Sequence, residues 1–258
     1  MMNEQLKKVA LITGGSRGVG QAIGIALAIR GHDVAINHRD SAAQAADTVA
    51  QIQALGAQAI AIQADTSDDE ACRRMVEETT AKFGRLDILI NNAATTQFIP
   101  HDQMDVITTE LWDRIFAVNV RGPFQCVRAA QAHLEASGAG HVINITSIAG
   151  INGNGSSIPY CASKAAMINM TQSLARTLAP KVRVNSIAPG FIDSQWTHAG
   201  LGDAYDGAAE RQRSGAALGQ IAQPEDVADA VMSLLEGSKL VTGQTLVVDG
   251  GALLGAKP

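Results

Sequence analysis

The chain has 258 residues, 46% of them hydrophobic, and a formal net charge of −5; it can build one large core, and its charge argues against a nucleic-acid surface. No apolar run approaches the roughly 18 residues of a membrane span, and MMNEQLKKVALITGG passes from charge into a short strand without the apolar core of a secretion signal. Cys72, Cys126 and Cys161 form no CxxC pair and the six histidines form no HxxxH or HxxH set, so a reducing compartment, the cytoplasm, is expected, with no metal site.

Short β-branched runs alternate with alanine-rich stretches. In chain order the expected strands are 9–12, 34–37, 59–62, 87–90, 141–145, 182–187 and 245–249. The expected helices are 19–30, 41–55, 68–82, 109–137 with a break near Gly122–Pro123, 159–178 and 224–235. Continuously apolar strands mark a parallel sheet covered on both faces. The expected fold is α/β: a single doubly wound Rossmann domain over 1–258, with a seven-stranded parallel sheet and helices on both faces. Residues 191–223 break the rhythm; this stretch is long, polar and glycine-dotted, and is read as a substrate lid.

The first strand runs straight into TGGSRGVG, with Gly14, Gly18 and Gly20 spaced TGxxxGxG, and then into an amphipathic helix. Glycines turn the backbone tightly and let a pyrophosphate reach the helix N-terminus, where free N–H groups and the dipole favour anions. An acid about 20 residues further on, ending the second strand, would hold an adenosine ribose 2′-hydroxyl. Here that strand ends in neutral Asn37, followed by His38 and Arg39, while Arg17 lies inside the glycine turn. Two guanidiniums suit a 2′-phosphate. NADP(H) is therefore the expected cofactor, and neighbouring Asp40 keeps NAD(H) open as the alternative.

Further along, Tyr160 and Lys164 stand four apart at the start of a helical stretch, PYCASKAAMINM, and so share a face. A fixed positive charge nearby favours phenolate and lowers a pKa of about 10. Pro159 suits a first helical turn, which sets Tyr160 near the positive end of the dipole. With Ser147, the pair has the makings of proton and hydride chemistry on a carbonyl.

TGGSRGVG, NNAA (91–94), Asn119 in VNV, Ser147 in ITSIAG, YCASK (160–164) and PG (189–190) together, and in this order, resemble the short-chain dehydrogenase/reductase family. VTGQTLVVDGG (241–251) is similar to the family's terminal strand, and the whole looks closest to the 3-oxoacyl-(acyl-carrier-protein) reductase and glucose dehydrogenase branch. The resemblance implies that Tyr160 is the acid/base and that Ser147 holds the substrate oxygen. It implies that Lys164 holds the nicotinamide ribose and lowers the tyrosine pKa, and that Asn119 supports a proton-relaying water. For the cofactor it implies Gly14, Ser16, Arg17, Gly18 and Val19, then His38 and Arg39. Asp65 and Thr66 would meet the adenine and Asn91 and Ala93 the adenosine ribose. Pro189, Gly190 and Ile192 would approach the nicotinamide, with Tyr160 and Lys164. Ala94 departs from the usual final glycine of NNAG, and Ser194 stands where threonine often follows PGxI.

Gln97, Phe98, Asn152, Trp196 and His198 are candidates to touch a small carbonyl or alcohol substrate. A sugar or polyol dehydrogenase is the alternative within the family. Outside it stands a dinucleotide-sensing regulator, which would need no Ser147, Tyr160 or Lys164. Small Ala162, Ala165 and Ala166 let another helix approach closely, and the resemblance implies a homotetramer, a dimer of dimers. Neither a nucleic-acid nor a membrane partner is expected.

Overall fold

In the computed structural model, residues 7–255 are described; residues 1–6, where the N-terminal reading begins, and 256–258 lie outside them. Seven strands, β1 Val9–Ile12, β2 Asp33–His38, β3 Ala59–Gln63, β4 Ile88–Asn91, β5 Gly140–Ile145, β6 Val182–Pro189 and β7 Thr245–Val248, form one sheet in the order β3-β2-β1-β4-β5-β6-β7. Every pairing is parallel. Each strand lies within two residues of its expected bounds. The reason is burial: every residue of β1, β2, β4 and β5 is buried, so these strands carry apolar side chains on both faces.

The helices follow the expected alternation: α1 Gly18–Ile29, α2 Ala42–Ala54, α3 Asp69–Phe83, α4 Thr109–Phe116, α5 Gly122–Ala136, α6 Ala149–Asn152, α7 Ile158–Leu178, α8 Gln195–Leu201, α9 Tyr205–Gly215 and α10 Pro224–Glu236. The period-2 alternation of β1 sends Ala10 and Ile12 to a core shared with α1, α2 and α10, and Val9 and Leu11 to a second core under α3, α5 and α7.

One expectation is corrected. The interruption expected near Gly122–Pro123 is a π-helical turn over Ala117–Arg121 that leads without a break into α5. Pro123 has no amide hydrogen to give to an ordinary turn, and such wide turns are frequent at functional sites. Gly122 is required there, because a Cβ would lie 2.8 Å from the Thr66 carbonyl oxygen. The stretch 191–223 carries two helices, α8 and α9. Ser194 and Thr197 form a reciprocal cap that starts α8, and a 3-10 turn, Gly202–Ala204, leads into α9.

At Gly20, a Cβ would lie 2.3 Å from the Gly14 carbonyl oxygen and 2.7 Å from the Asn92 amide. Alanine gains about 1 kcal/mol of helix propensity, but collision with fixed backbone costs about 1–3 kcal/mol. The collision dominates. Gly20→Ala should lower the urea midpoint and the unfolding free energy; a more stable variant would show that the glycine turn and α1 do not pack this closely.

Candidate active site

Parallel strands all end on one edge, and there the chain encloses a cavity of about 850 Å³, a size suited to a cofactor or small ligand. The β1–α1 turn forms one end. Thr13 Oγ1 accepts the Asn92 and Ala93 amides at 3.0 Å, and Asn92 Nδ2 donates to the Thr13 and Gly14 carbonyls. These bonds tie the turn to the end of β4. Among the described residues no side chain caps the N-terminus of α1. Gly18, at φ +55°, has open space where a Cβ would stand. A bare helix N-terminus facing a cavity fits the pyrophosphate of a dinucleotide.

Asn37 lies under this end as a strut: its amide donates to the Ile62 and Ala64 carbonyls and its oxygen accepts Gly14 N–H. His38 lines the cavity, and its buried Nδ1 has no partner. Arg17 and Arg39 also line it; Arg17 reaches Gln44 at 3.4 Å and Arg39 pairs with Asp40 at 2.5 Å. Asp65 lines it too. Burial works to raise the Asp65 carboxyl, but hydrogen bonds from the Ser67 amide and hydroxyl outweigh it and hold the group below the usual range.

At the other end, Ser147 follows β5 while Tyr160 and Lys164 project from the first turns of α7. Gly150 in α6 lets these segments meet, since a Cβ there would lie 2.6 Å from the Ala165 amide nitrogen. Tyr160 and Lys164 are buried, and Lys164 Nζ lies 5.6 Å from the tyrosine ring centre. Lys164 Nζ donates to the Ile145 carbonyl at 2.9 Å. Burial lowers the lysine pKa to about 8. Burial likewise pushes the Tyr160 phenol above its ordinary value, and the facing Ser147 hydroxyl acts the other way. Desolvation of the phenolate is the larger of these influences.

Asn119, in the π-helical turn, is buried and does not line the cavity. Its oxygen accepts Thr95 N–H at 2.8 Å, and its amide donates to the Thr95 carbonyl and to Ser163 Oγ, both at 3.0 Å. Ser163 Oγ in turn donates to the Tyr160 carbonyl at 2.7 Å. Asn119 therefore joins the loop after β4 to the first turn of α7.

Gly14, Ser16, Gly18, Val19, Thr66, Ala93, Pro189, Gly190, Ile192 and Trp196 also line the cavity. Asn91 does not; its amide donates to Asn144 at 2.9 Å inside the sheet. Asn92 takes the lining position, and strand alternation is the signal that could have separated the two. Gln97 and Asn152 are exposed outside the cavity. His198, also outside, stacks on Tyr205 at 3.5 Å and meets Asp193 at 2.9 Å. The Tyr205 hydroxyl bonds the same carboxylate oxygen at 2.7 Å. Tyr205 and then His198 hold Asp193 below the usual range, and burial followed by Asp193 pushes Tyr205 up to about 12. Sequence reasoning missed Phe191, Asn154 and Arg211, all cavity-lining.

A dinucleotide cradle continuous with a Ser–Tyr–Lys cluster at the strand ends defines an NAD(P)-dependent oxidoreductase acting on carbonyls or alcohols. Residues 14–252 match the family model described as enoyl-(acyl carrier protein) reductase. A Streptomyces violaceoruber protein assigned as ketoacyl reductase 2 of the granaticin polyketide synthase is 42% identical over 95% of this chain and 96% of its own. The Staphylococcus aureus 3-oxoacyl-(acyl-carrier-protein) reductase FabG is 36% identical over 96% of this chain and 98% of its own. A Burkholderia cenocepacia short-chain dehydrogenase solved in complex with NADP superposes with a TM-score of 0.86 at 39% identity, over 97% of this chain and all of that one. The chain belongs to the short-chain dehydrogenase/reductase family. Among the described residues, no helix is long and apolar enough to cross a membrane.

Burial of Lys164 carries a stability consequence. The group titrates near 8 when folded against 10.5 for a free lysine. Between those values the unfolded chain holds more protons, so folding stability rises with pH across that window; below it the penalty is complete, on the order of 3 kcal/mol. Lys164→Met should therefore melt several degrees above wild type at pH 7, with the gap narrowing from pH 8 to 10.5. A variant that melts lower at pH 7 would show that the bond to Ile145 outweighs desolvation.

Proposed function

We propose that this protein reduces a small carbonyl compound with NADPH, using Tyr160 as the proton donor. The observation carrying this reading is the gathering of Ser147, Tyr160 and Lys164 on the wall of a cavity whose other end is the glycine turn. The nicotinamide, when bound, supplies the hydride. Ser147 and Tyr160 hydroxyls hydrogen-bond the carbonyl oxygen and polarise it. Tyr160 then delivers its proton. Because burial raises its pKa, the phenol is protonated at neutral pH, the state a reduction needs; alcohol oxidation needs the phenolate and is favoured by alkaline conditions. Lys164 holds the nicotinamide ribose and returns a proton towards Tyr160. Asn119 acts as a positioning residue for the relay.

The preference for NADP(H) over NAD(H) rests on Arg17 and Arg39 and on the unpartnered His38 Nδ1. The carboxylate nearest the end of β2 in sequence, Asp40, is already paired with Arg39. Residues 191–223 serve as the lid of a single domain. Assembly into a homotetramer is supported by Phe124, 42% exposed, and by a groove with Phe116, Val120 and Met170 along α4, α5 and α7. The cytoplasm is the proposed location.

Tyr160→Phe should leave cofactor affinity, read by fluorescence titration, near wild type and cut turnover by on the order of a hundredfold or more. Retained turnover would end the assignment. Arg39→Ala should raise the KM for NADPH at least about tenfold while leaving that for NADH nearly unchanged, as initial rates at the nicotinamide absorbance would show. Equal effects would overturn the phosphate reading.

A further inference from the structure

The chain has only nine aromatic residues, five Phe, two Trp and two Tyr. Four of them, Phe98, Tyr160, Phe191 and Trp196, line this one cavity. Trp196, from α8, lies 6.1 Å from the Tyr160 ring and 5.8 Å edge-on from Phe98. Phe98 seats against α8, where a Cβ on Gly200 would come within 2.0 Å of its ring. Trp196 nevertheless remains 39% exposed. A large apolar ring left partly uncovered beside the reacting phenol is a surface awaiting an apolar ligand.

Charge distribution adds a second, independent observation. Asp40 and Asp65 are the carboxylates lining the cavity, and both lie at its nucleotide end. Among the described residues the lid half holds none, but it holds Arg211 of α9. Among the described residues Arg211 is in no ion pair, whereas its neighbour Arg213 pairs with Glu210 at 2.9 Å. A free guanidinium over a carboxylate-free, aromatic-walled pocket matches a planar carboxylate.

We propose that the substrate is an aryl or similarly flat apolar ketone carrying a carboxylate beyond the carbonyl, with Trp196 and Phe98 packing its ring and Arg211 pairing its acid group. This assignment rests on the carbonyl-reductase reading of the same site and names its substrate class. Arg211 is a specificity residue: it sets which ketone is held, and takes no part in the proton transfer.

The test uses 4-oxo-4-phenylbutanoate, 5-oxo-5-phenylpentanoate and 6-oxo-6-phenylhexanoate, each against its methyl ester, with NADPH and the full chain. At least one acid should exceed its ester tenfold or more in kcat/KM, through KM. Arg211→Gln should collapse that ratio to near one while leaving the ester rate and the KM for NADPH as in wild type. Arg74→Gln, the same charge change on α3 outside the cavity, should keep the ratio. Trp196→Leu should lower kcat/KM about tenfold for the aryl acids and less than twofold for 5-oxohexanoate. Equal use of acid and ester by wild type, a ratio that survives Arg211→Gln, or a KM rise for NADPH in that variant with both substrates overturns the proposal and leaves the carbonyl-reductase reading standing. The last result would assign Arg211 to the cofactor. No nicotinamide oxidation with any acid, ester or aliphatic ketone would instead remove that reading and this proposal with it.

Discussion

An ammonium group kept out of water at the end of β5 is the constraint around which this site is arranged. Lys164 is 3% exposed and, among the described residues, has a single protein hydrogen-bond acceptor, the Ile145 carbonyl. Such a group persists only if its surroundings cannot relax away from it. The surroundings comply. Asn144 links β5 to α7 through Thr171 at 2.9 Å, Asn119 links the loop after β4 to Ser163, and α6 lies against α7 through Gly150. The first bond anchors the middle of α7 to β5, and the other two contacts hold its first turns against the loop after β4 and against α6; α7 carries both the phenol and the ammonium. The unfavourable charge and the rigid frame are two sides of one arrangement, as expected where activity is held at the expense of stability.

Most of the sheet was legible because continuous apolar runs such as VALI have one physical explanation, burial on both faces. The roles of the polar residues at strand ends were harder to read. Asn37 occupies the place of a ribose-binding acid in the sequence, yet its amide is spent on the Ile62 and Ala64 carbonyls. Asn91 likewise turns into the sheet and Asn92 to the cavity, a difference set by pleat rather than by residue type. Asn119 was identifiable through the family's motif, but its wide helical turn was not: nothing in AVNVR announces it, and Gly122–Pro123 reads more simply as an interruption. The lid's helices were hidden by Gly202, Gly207 and Gly215, residues that lower helix propensity, while the reciprocal Ser194–Thr197 cap that starts them lies in an unremarkable FIDSQW.

The two ends of the cavity differ in how firmly they are specified. At the nucleotide end the selective groups are long, exposed side chains: Arg39 and Asp40 are 49% and 69% exposed, and an ion pair in that setting contributes roughly 1 kcal/mol or less. A phosphate can compete for Arg39 at little cost, and a single substitution there can alter cofactor preference without touching the core. At the proposed catalytic end Tyr160 and Lys164 are buried and Ser147 is half-buried against them, so changes propagate into folding. Cofactor choice is therefore the more easily altered property, and the proton-transfer apparatus the less.

The proposed lid, residues 191–223, falls between these extremes, being neither core nor free loop. Asp193, at its entrance, accepts Tyr205 from α9 and His198 from α8, and Gln223 at its exit reaches the same carboxylate at 3.4 Å. One acidic side chain thus gathers both lid helices and both lid ends at a point outside the cavity. This leaves the opposite surfaces of α8 and α9, with Trp196 and Arg211, to meet whatever enters. The knot does not use Trp196 or Arg211, so these two can vary without breaking it, unlike the cavity-lining Ser194 and Thr197, whose cap starts α8. On the proposed reading the sheet edge sets the chemistry, and the inner surface of residues 191–223 sets the shape and charge of the ketone accepted.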